Sequence, residues 1–202
     1  MVRRPQDHFG HQAKRDGYPA RSVYKLQEID RRSQLLRRGQ RVLDLGAAPG
    51  SWTLYAAERV GREGKVIGID LNDARIGLPA HVSFRALDVF KFDALAELGP
   101  GSFDVVLSDM APHTSGQRHR DQFLSYELYA RALAIAADVL VPGGSFVGKI
   151  FQGPELEEAR KATRAAFESV RTIKPDASRS ESYEIFLLGQ NRREVALAPL
   201  AP

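Results

Sequence analysis

"RVLDLGAAPGSWTLYAAERV", residues 41–60, sets a short apolar strand, a glycine-bearing turn and a helix in direct succession. Val42, Leu43 and Leu45 are strand formers around Asp44. Gly46 and Gly50 bracket a turn, and helical periodicity follows from Ser51, which suits a cap. The same succession recurs downstream. "KVIGID" (65–70) and "VSFRAL" (82–87) read as strands, then a short helix at 92–98. "FDVVLSD" (103–109) is a fourth strand and leads to the longest helix, at 121–140. The turn signal Pro142-Gly143-Gly144 precedes a fifth strand, "GSFVGKIFQ" (144–152), and a helix at 154–167 starts with Pro154 and acids behind it. "SVRTIK" (169–174) and "YEIFLLG" (183–189) bring the strands to seven. This alternation predicts an α/β protein: a Rossmann-like, seven-stranded, mostly parallel sheet with helices on both faces.

Upstream, "SVYKLQEIDRRSQLL" (22–36) carries apolar residues at helical spacing and ends at Gly39, while residues 1–18 read as irregular. The chain therefore divides into a basic N-terminal arm and helix (1–38), the sheet domain (39–190) and a tail (191–202) without a clear period, expected to be disordered. Residues 1–41 hold eleven Lys and Arg against four Asp and Glu, and the remainder eighteen against twenty-one. A basic arm on a mildly acidic body suits a polyanionic partner, although a solvated basic face explains it as well. Absence of cysteine excludes disulfides and thiolate metal sites. No apolar run approaches the ~18 residues of a membrane span, and the five histidines show no pairing that predicts a metal. A cytoplasmic monomer without membrane contact is the expectation.

In doubly wound sheets ligands sit outside the carboxyl ends of the strands. The first such end is "LDLGAAPGSW" (43–52), where Gly46 and Gly50 let backbone approach a ligand and the helix start offers free N–H groups. The spacing departs from the G-x-G-x-x-G that seats a pyrophosphate, which disfavours a dehydrogenase. Asp70, ending the second strand, suits ribose hydroxyls, and Asp88, after the third, suits an adenine amino group. A helix cap and surface acids would explain each residue singly. Together the glycine turn and the two acids point to S-adenosylmethionine. Trp52 faces that turn and suits either the core or the site.

Lys149 stands in an otherwise apolar strand, where an ammonium group is costly to bury. It either reaches water along its stem or meets a partner in a cleft, and Asp109 would supply the partner if the fourth and fifth strands pair.

Five segments in order, "GYPARSVYKLQEID", "LDLGAAPGSW", "LSDMAPHTSG", "GGSFVGKIFQG" and "KPDASRSESYEIFLLG", resemble the FtsJ/RlmE family of ribose 2′-O-methyltransferases, from about Tyr18 to Gly189. The resemblance implies a Rossmann-like, S-adenosylmethionine-dependent methyltransferase fold. It also implies a Lys-Asp-Lys-Glu tetrad on Lys25, Asp109, Lys149 and Glu184, with Glu181 as the alternative to Glu184. Cofactor contacts would fall on Gly46, Gly50, Trp52, Asp70, Asp88 and Asp109. Ser51 stands where a second glycine is usual, and "APHTSG" where Asn is usual. The implied reaction methylates the ribose 2′-hydroxyl of a uridine in 23S rRNA of the large ribosomal subunit. Alternatives are tRNA or an mRNA cap as substrate, or a non-catalytic assembly factor binding S-adenosylmethionine and RNA. Lys149 would be the base, oriented by Asp109, with Lys25 and Glu184 positioning the ribose. A sulfonium ~5 Å away opposes an ammonium by ~3 kcal/mol at an effective dielectric of ~20, and Lys25 pushes the same way, toward the neutral amine, while Asp109 and Glu184 push back. Arg3, Arg4, Lys14, Arg15, Arg21, Arg31 and Arg32 would face the RNA phosphates.

Overall fold

A computed structural model describes residues 8–74, 77–178 and 182–194. Seven strands are present among the described residues: β1 (Arg41–Leu45), β2 (Lys65–Asp70), β3 (Val82–Ala86), β4 (Phe103–Ser108), β5 (Leu140–Phe151), β6 (Phe167–Ile173) and β7 (Glu184–Arg192). They form one sheet in the order β3-β2-β1-β4-β5-β7-β6. β1 through β5 run parallel, while β7 is antiparallel to both of its neighbours. Strand order reverses beside β1, which opens a crevice between β1 and β4 at their carboxyl ends.

The helices are α1 (His8–Arg15), α2 (Val23–Ser33), α3 (Ser51–Val60), α4 (Ala94–Leu98), α5 (Arg118–Val139) and α6 (Leu156–Ala166). Period-two alternation along β5 divides them between the faces. Phe146 and Ile150 point to the side of α5 and α6, where Tyr129, Leu133, Ala159 and Phe167 are buried with them. Val147 points to the other side, with Leu26 and Ile29 of α2 and Ala56 and Val60 of α3. The helix of the basic arm thus shares its core with the sheet.

Several boundaries differ from the sequence expectation, each for a local reason. Residues 8–15, expected irregular, form α1, and Ala13 packs with Tyr18 and Val23. α2 stops at Ser33 rather than near Gly39, because Gln34 takes a left-handed conformation (φ 50°). Buried Asp30 then accepts the Leu36 N–H (2.8 Å), which lets Leu35 and Leu36 pack without helix. Ser51 does not cap α3. Gly50 occupies that place at φ 108°, and the Ser51 hydroxyl accepts the Ala20 N–H at 2.8 Å, tying the arm to the first turn. Pro142-Gly143-Gly144 lies inside β5, where pairing jumps from Phe103↔Leu140 to Val105↔Ser145 and bulges the strand. β7 continues to Arg192, so the expected tail begins later, and residues 195–202 lie outside the described residues. No helix among the described residues is long and apolar enough to cross a membrane.

Candidate active site

The carboxyl ends of β1 to β4 surround a cavity of about 330 Å³ lined by Gly46, Asp70, Asp88, Phe90, Asp109 and Met110, among others. Gly46 (φ +75°) is required on two counts, since an L side chain resists that backbone and a Cβ would meet Met110 Cγ at 2.5 Å. The turn thereby closes onto the end of β4. Asp70 Oδ2 accepts the Ala48 N–H (3.1 Å) and Oδ1 the Asn72 N–H (2.8 Å), which fixes the carboxylate at the cavity wall. Asp88 Oδ1 accepts the Phe90 N–H at 3.0 Å. The loop after β3 that carries Asp88 is braced from behind by Arg131 of α5. That guanidinium donates to the carbonyls of Val89 (2.6 Å) and Phe92 (2.5 Å).

Asp44, near the end of β1, has no exposure at all and does not itself line the cavity. Its Oδ2 accepts from the Thr53 hydroxyl (2.6 Å), while Oδ1 has no partner among the described residues. Burial, opposed by the Thr53 hydrogen bond and reinforced by the Asp109 and Asp70 carboxylates, pushes its pKa up to about 7. A buried, unpaired carboxylate oxygen among further acids is a poor arrangement for an empty pocket and a good one for a ligand bearing positive charge and hydroxyl groups.

Trp52 belongs to the core and not to the cavity. Its side chain is buried at 3% exposure, its ring lies 5.6 Å from Phe186, and Nε1 donates to the Ser22 carbonyl (2.8 Å). The helix turns the indole away from the glycine loop, so only its backbone N–H, in the first turn of α3, is left for a ligand.

Lys149 answers the oddity of a lysine in a buried strand. It is 6% exposed, and its Nζ donates to the Asp109 carbonyl (2.6 Å) and to Asp109 Oδ1 (2.9 Å). Parallel pairing of Ser108 with Gly148 brings the two residues together. Because β7 runs antiparallel, its first residue, Glu184, returns to this same edge of the sheet. Lys149 stands opposite Phe186 and Phe151 opposite Glu184, all on one sheet face. Lys25 descends onto that face from α2. Its Nζ meets Glu184 Oε1 at 2.5 Å and lies 5.8 Å from the Phe186 ring centroid. Ser178 Oγ donates to the same Glu184 oxygen at 3.0 Å. The four residues thus form two ion pairs on either side of Phe186. Glu181 lies outside the described residues.

A second cavity, of about 790 Å³, opens beyond the Lys25–Glu184 pair. Its far wall is the loop after β4. That loop is held by Asp121, which accepts from the Ser115 N–H (2.8 Å), the Ser115 hydroxyl (2.9 Å) and the Gly116 N–H (3.2 Å). These donors hold its carboxyl below the usual carboxylate range. Neither Asp121 nor Arg131 has a sequence signature, since each acts through contacts made only after folding. The basic arm is partly committed internally. Arg32 pairs with Glu28 (2.6 Å) and Asp176 (3.4 Å), and Arg21 donates to the Ala177 carbonyl (3.0 Å). Arg3 and Arg4 lie outside the described residues.

Residues 18–192 match the FtsJ-like methyltransferase family. The chain belongs to that family. It is 52% identical over 189 residues to "Ribosomal RNA large subunit methyltransferase E" of Sorangium cellulosum, covering 93% of this chain and 88% of that protein. The protein of the same name in Nitratidesulfovibrio vulgaris (strain Miyazaki F) is 53% identical over 186 residues, covering 90% and 92%. Among solved structures, a Plasmodium falciparum ribosomal RNA methyltransferase superposes with a TM-score of 0.76 at 26% identity, covering 87% of this chain and 98% of that one. A fibrillarin of Aeropyrum pernix with bound S-adenosylmethionine shares the fold at a TM-score of 0.60 and 15% identity, covering 83% and 76%. Lys149 itself lines neither of these two cavities, but its neighbours reach both. Asp109, which holds the Lys149 amine, lines the smaller cavity, and Phe151, two residues further along the same strand face, lines the larger.

Proposed function

We propose that this methyltransferase transfers a methyl group from S-adenosylmethionine to the ribose 2′-hydroxyl of a uridine in 23S rRNA, on the large ribosomal subunit, as a cytoplasmic monomer. The observation that carries this reading is the position of the Lys149–Asp109 pair between a carboxylate-rich cavity and a larger one rimmed by Lys25 and Glu184. The names of the relatives at about half identity support ribosomal RNA as the substrate class.

The smaller cavity fits the cofactor's parts. Asp70 suits ribose hydroxyls, Asp88 an adenine amino group, and Asp109, with the buried Asp44 carboxyl adding to its field, a cationic end, beside the glycine turn that starts at Gly46. When bound, S-adenosylmethionine supplies an electrophilic methyl group on a sulfonium. The protein's part is to prepare the oxygen. An alcohol is a weak nucleophile at neutral pH, so a base within hydrogen-bond reach must take its proton. Lys149 is the base, aimed by the Asp109 carbonyl and carboxylate, which accept the two N–H groups of the neutral amine and leave its lone pair for the hydroxyl proton. Lys25 and Glu184 hold the ribose from the other side, as donor and acceptor to its hydroxyl groups. The remaining basic residues of the arm neutralise phosphates without reading bases.

The test is labelled methyl transfer to large ribosomal subunits, free 23S rRNA, tRNA and capped RNA, followed by mapping of the methylated nucleotide. A methyl group on a uridine 2′-oxygen of 23S rRNA is expected. Label on a base, on tRNA or on a cap would overturn the reading.

A further inference from the structure

The larger cavity contains a feature that methyl transfer to a ribose does not require. Phe151 and Tyr183 meet in its wall edge to face, with centroids 4.8 Å apart and planes at 67°. Phe151 is a large, buried aromatic residue, yet it belongs to neither of the two main core clusters that fill the sheet faces. Tyr183 is only partly buried, and among the described residues its hydroxyl makes no hydrogen bond. Arg118, exposed in the first turn of α5, lays its guanidinium 5.4 Å from the Tyr183 ring centroid, across the cavity mouth. The remaining lining is polar and includes Thr114, Ser182 and Arg21.

Register fixes how far this aromatic pair lies from the reacting edge. Lys149 and Phe151 are two residues apart on one strand, hence on the same face and about 7 Å apart along it. Glu184 pairs directly with Phe151, and Tyr183 precedes Glu184. A nucleoside whose 2′-hydroxyl reaches Lys149 therefore has its base projecting over the Phe151–Tyr183 pair. Flat apolar faces with a displaceable guanidinium above them are the chemistry that receives an unstacked base. Hydroxyl and guanidinium groups around the rim match the polar edges of such a base.

We infer that Tyr183, backed by Phe151 and covered by Arg118, is the seat on which the base of the acceptor nucleoside stacks. This rests on the ribose-methylation reading. It goes further in assigning a base-binding subsite and in making the enzyme dependent on a nucleobase at the methylated position. Arg118 swings off the ring, or stacks on the outer face of the base, as the nucleotide enters.

Steady-state kinetics on large-subunit particles test the seat. Stacking of one base on an aromatic side chain predicts a roughly five- to hundredfold rise in the RNA KM for Tyr183→Ala, with the cofactor KM unchanged. Tyr183→Phe keeps the ring and should recover most of the KM lost in Tyr183→Ala, which separates stacking from loss of fold. Particles reconstituted with an abasic ribose at the mapped nucleotide should weaken wild type by a similar factor and Tyr183→Ala hardly further. Equal damage to both enzymes by the abasic substrate would overturn the seat, as would an unchanged KM for Tyr183→Ala. If wild type labels no RNA, the ribose-methylation reading itself falls, a result distinct from failure of the seat alone.

Discussion

The two cavities that flank Lys149 are built in opposite ways. The smaller is made mostly of consecutive strand ends, so its wall residues, Leu128 of α5 apart, sit at the close of a strand or in the loop that follows it. The larger is assembled from α2, the loop after β4, the end of β5 and the chain leading into β7, segments far apart in sequence. The first holds its acids by local backbone N–H groups, as at Asp70 and Asp88. The second depends on one long-range ion pair, Lys25–Glu184, and on the Asp121 clasp.

That contrast can be broken most severely at the partition. Lys149→Ala should lower turnover by about 10²- to 10⁴-fold at saturating substrates, the usual loss of a general base, with both binding constants nearly unchanged. Single-turnover transfer with equilibrium binding of both ligands would measure it. Near-normal turnover would remove Lys149 as the base.

Asp44 tests the smaller cavity alone. In the folded protein its carboxyl keeps a proton to about pH 7, far above the ordinary range, so the stability it contributes is greatest at acid pH and is lost as pH rises through 7. Asp44→Asn cannot ionise and should melt above wild type at pH 8, with the gap closing toward pH 4. A cationic cofactor favours the ionised form. Wild-type cofactor affinity should therefore tighten between pH 6 and 8, and the variant should bind roughly tenfold more weakly at pH 8 without that pH dependence. Calorimetric titration and melting at the two pH values report both effects.

Smaller changes sharpen the division between the cavities. Glu184→Gln leaves Lys25 without its charge partner and should weaken RNA binding and turnover roughly fivefold, with cofactor affinity untouched. Arg131→Ala frees the loop that carries Asp88. It should weaken the cofactor by a few-fold, about 1 kcal/mol, with no change in RNA affinity. A cross-over of either effect into the other cavity would mean that the two are coupled through the sheet.

The same division explains what the sequence disclosed. The parallel sheet, the glycine turn and the acids after β2 and β3 follow from local pattern, since strand periodicity and turn residues act over a few positions. Lys149 was conspicuous as a charge in an apolar strand, and its partner followed once β4 and β5 were taken as neighbours. Lys25 and Glu184 carry no local mark, and only the likeness to a family singled them out. For Trp52 the sequence leaves core and site both open, because position in a helix does not say which face turns to a ligand. Ser51 and Gly39 were misread by rules for isolated helix ends, where tertiary bonds from Ala20 and Asp30 prevailed.

The place of β7 has a consequence for the order in which the enzyme is made. It is synthesised after β6 yet inserts between β5 and β6. A growing chain can close the turn at Gly46 and bring Lys149 to Asp109 while β6 is still without its partner strand. Glu184 then arrives with the last interior strand, and Lys25, translated long before, meets its counter-charge only at that moment. The smaller cavity is thus complete while the larger is still open, and a chain halted after β6 would have one without the other.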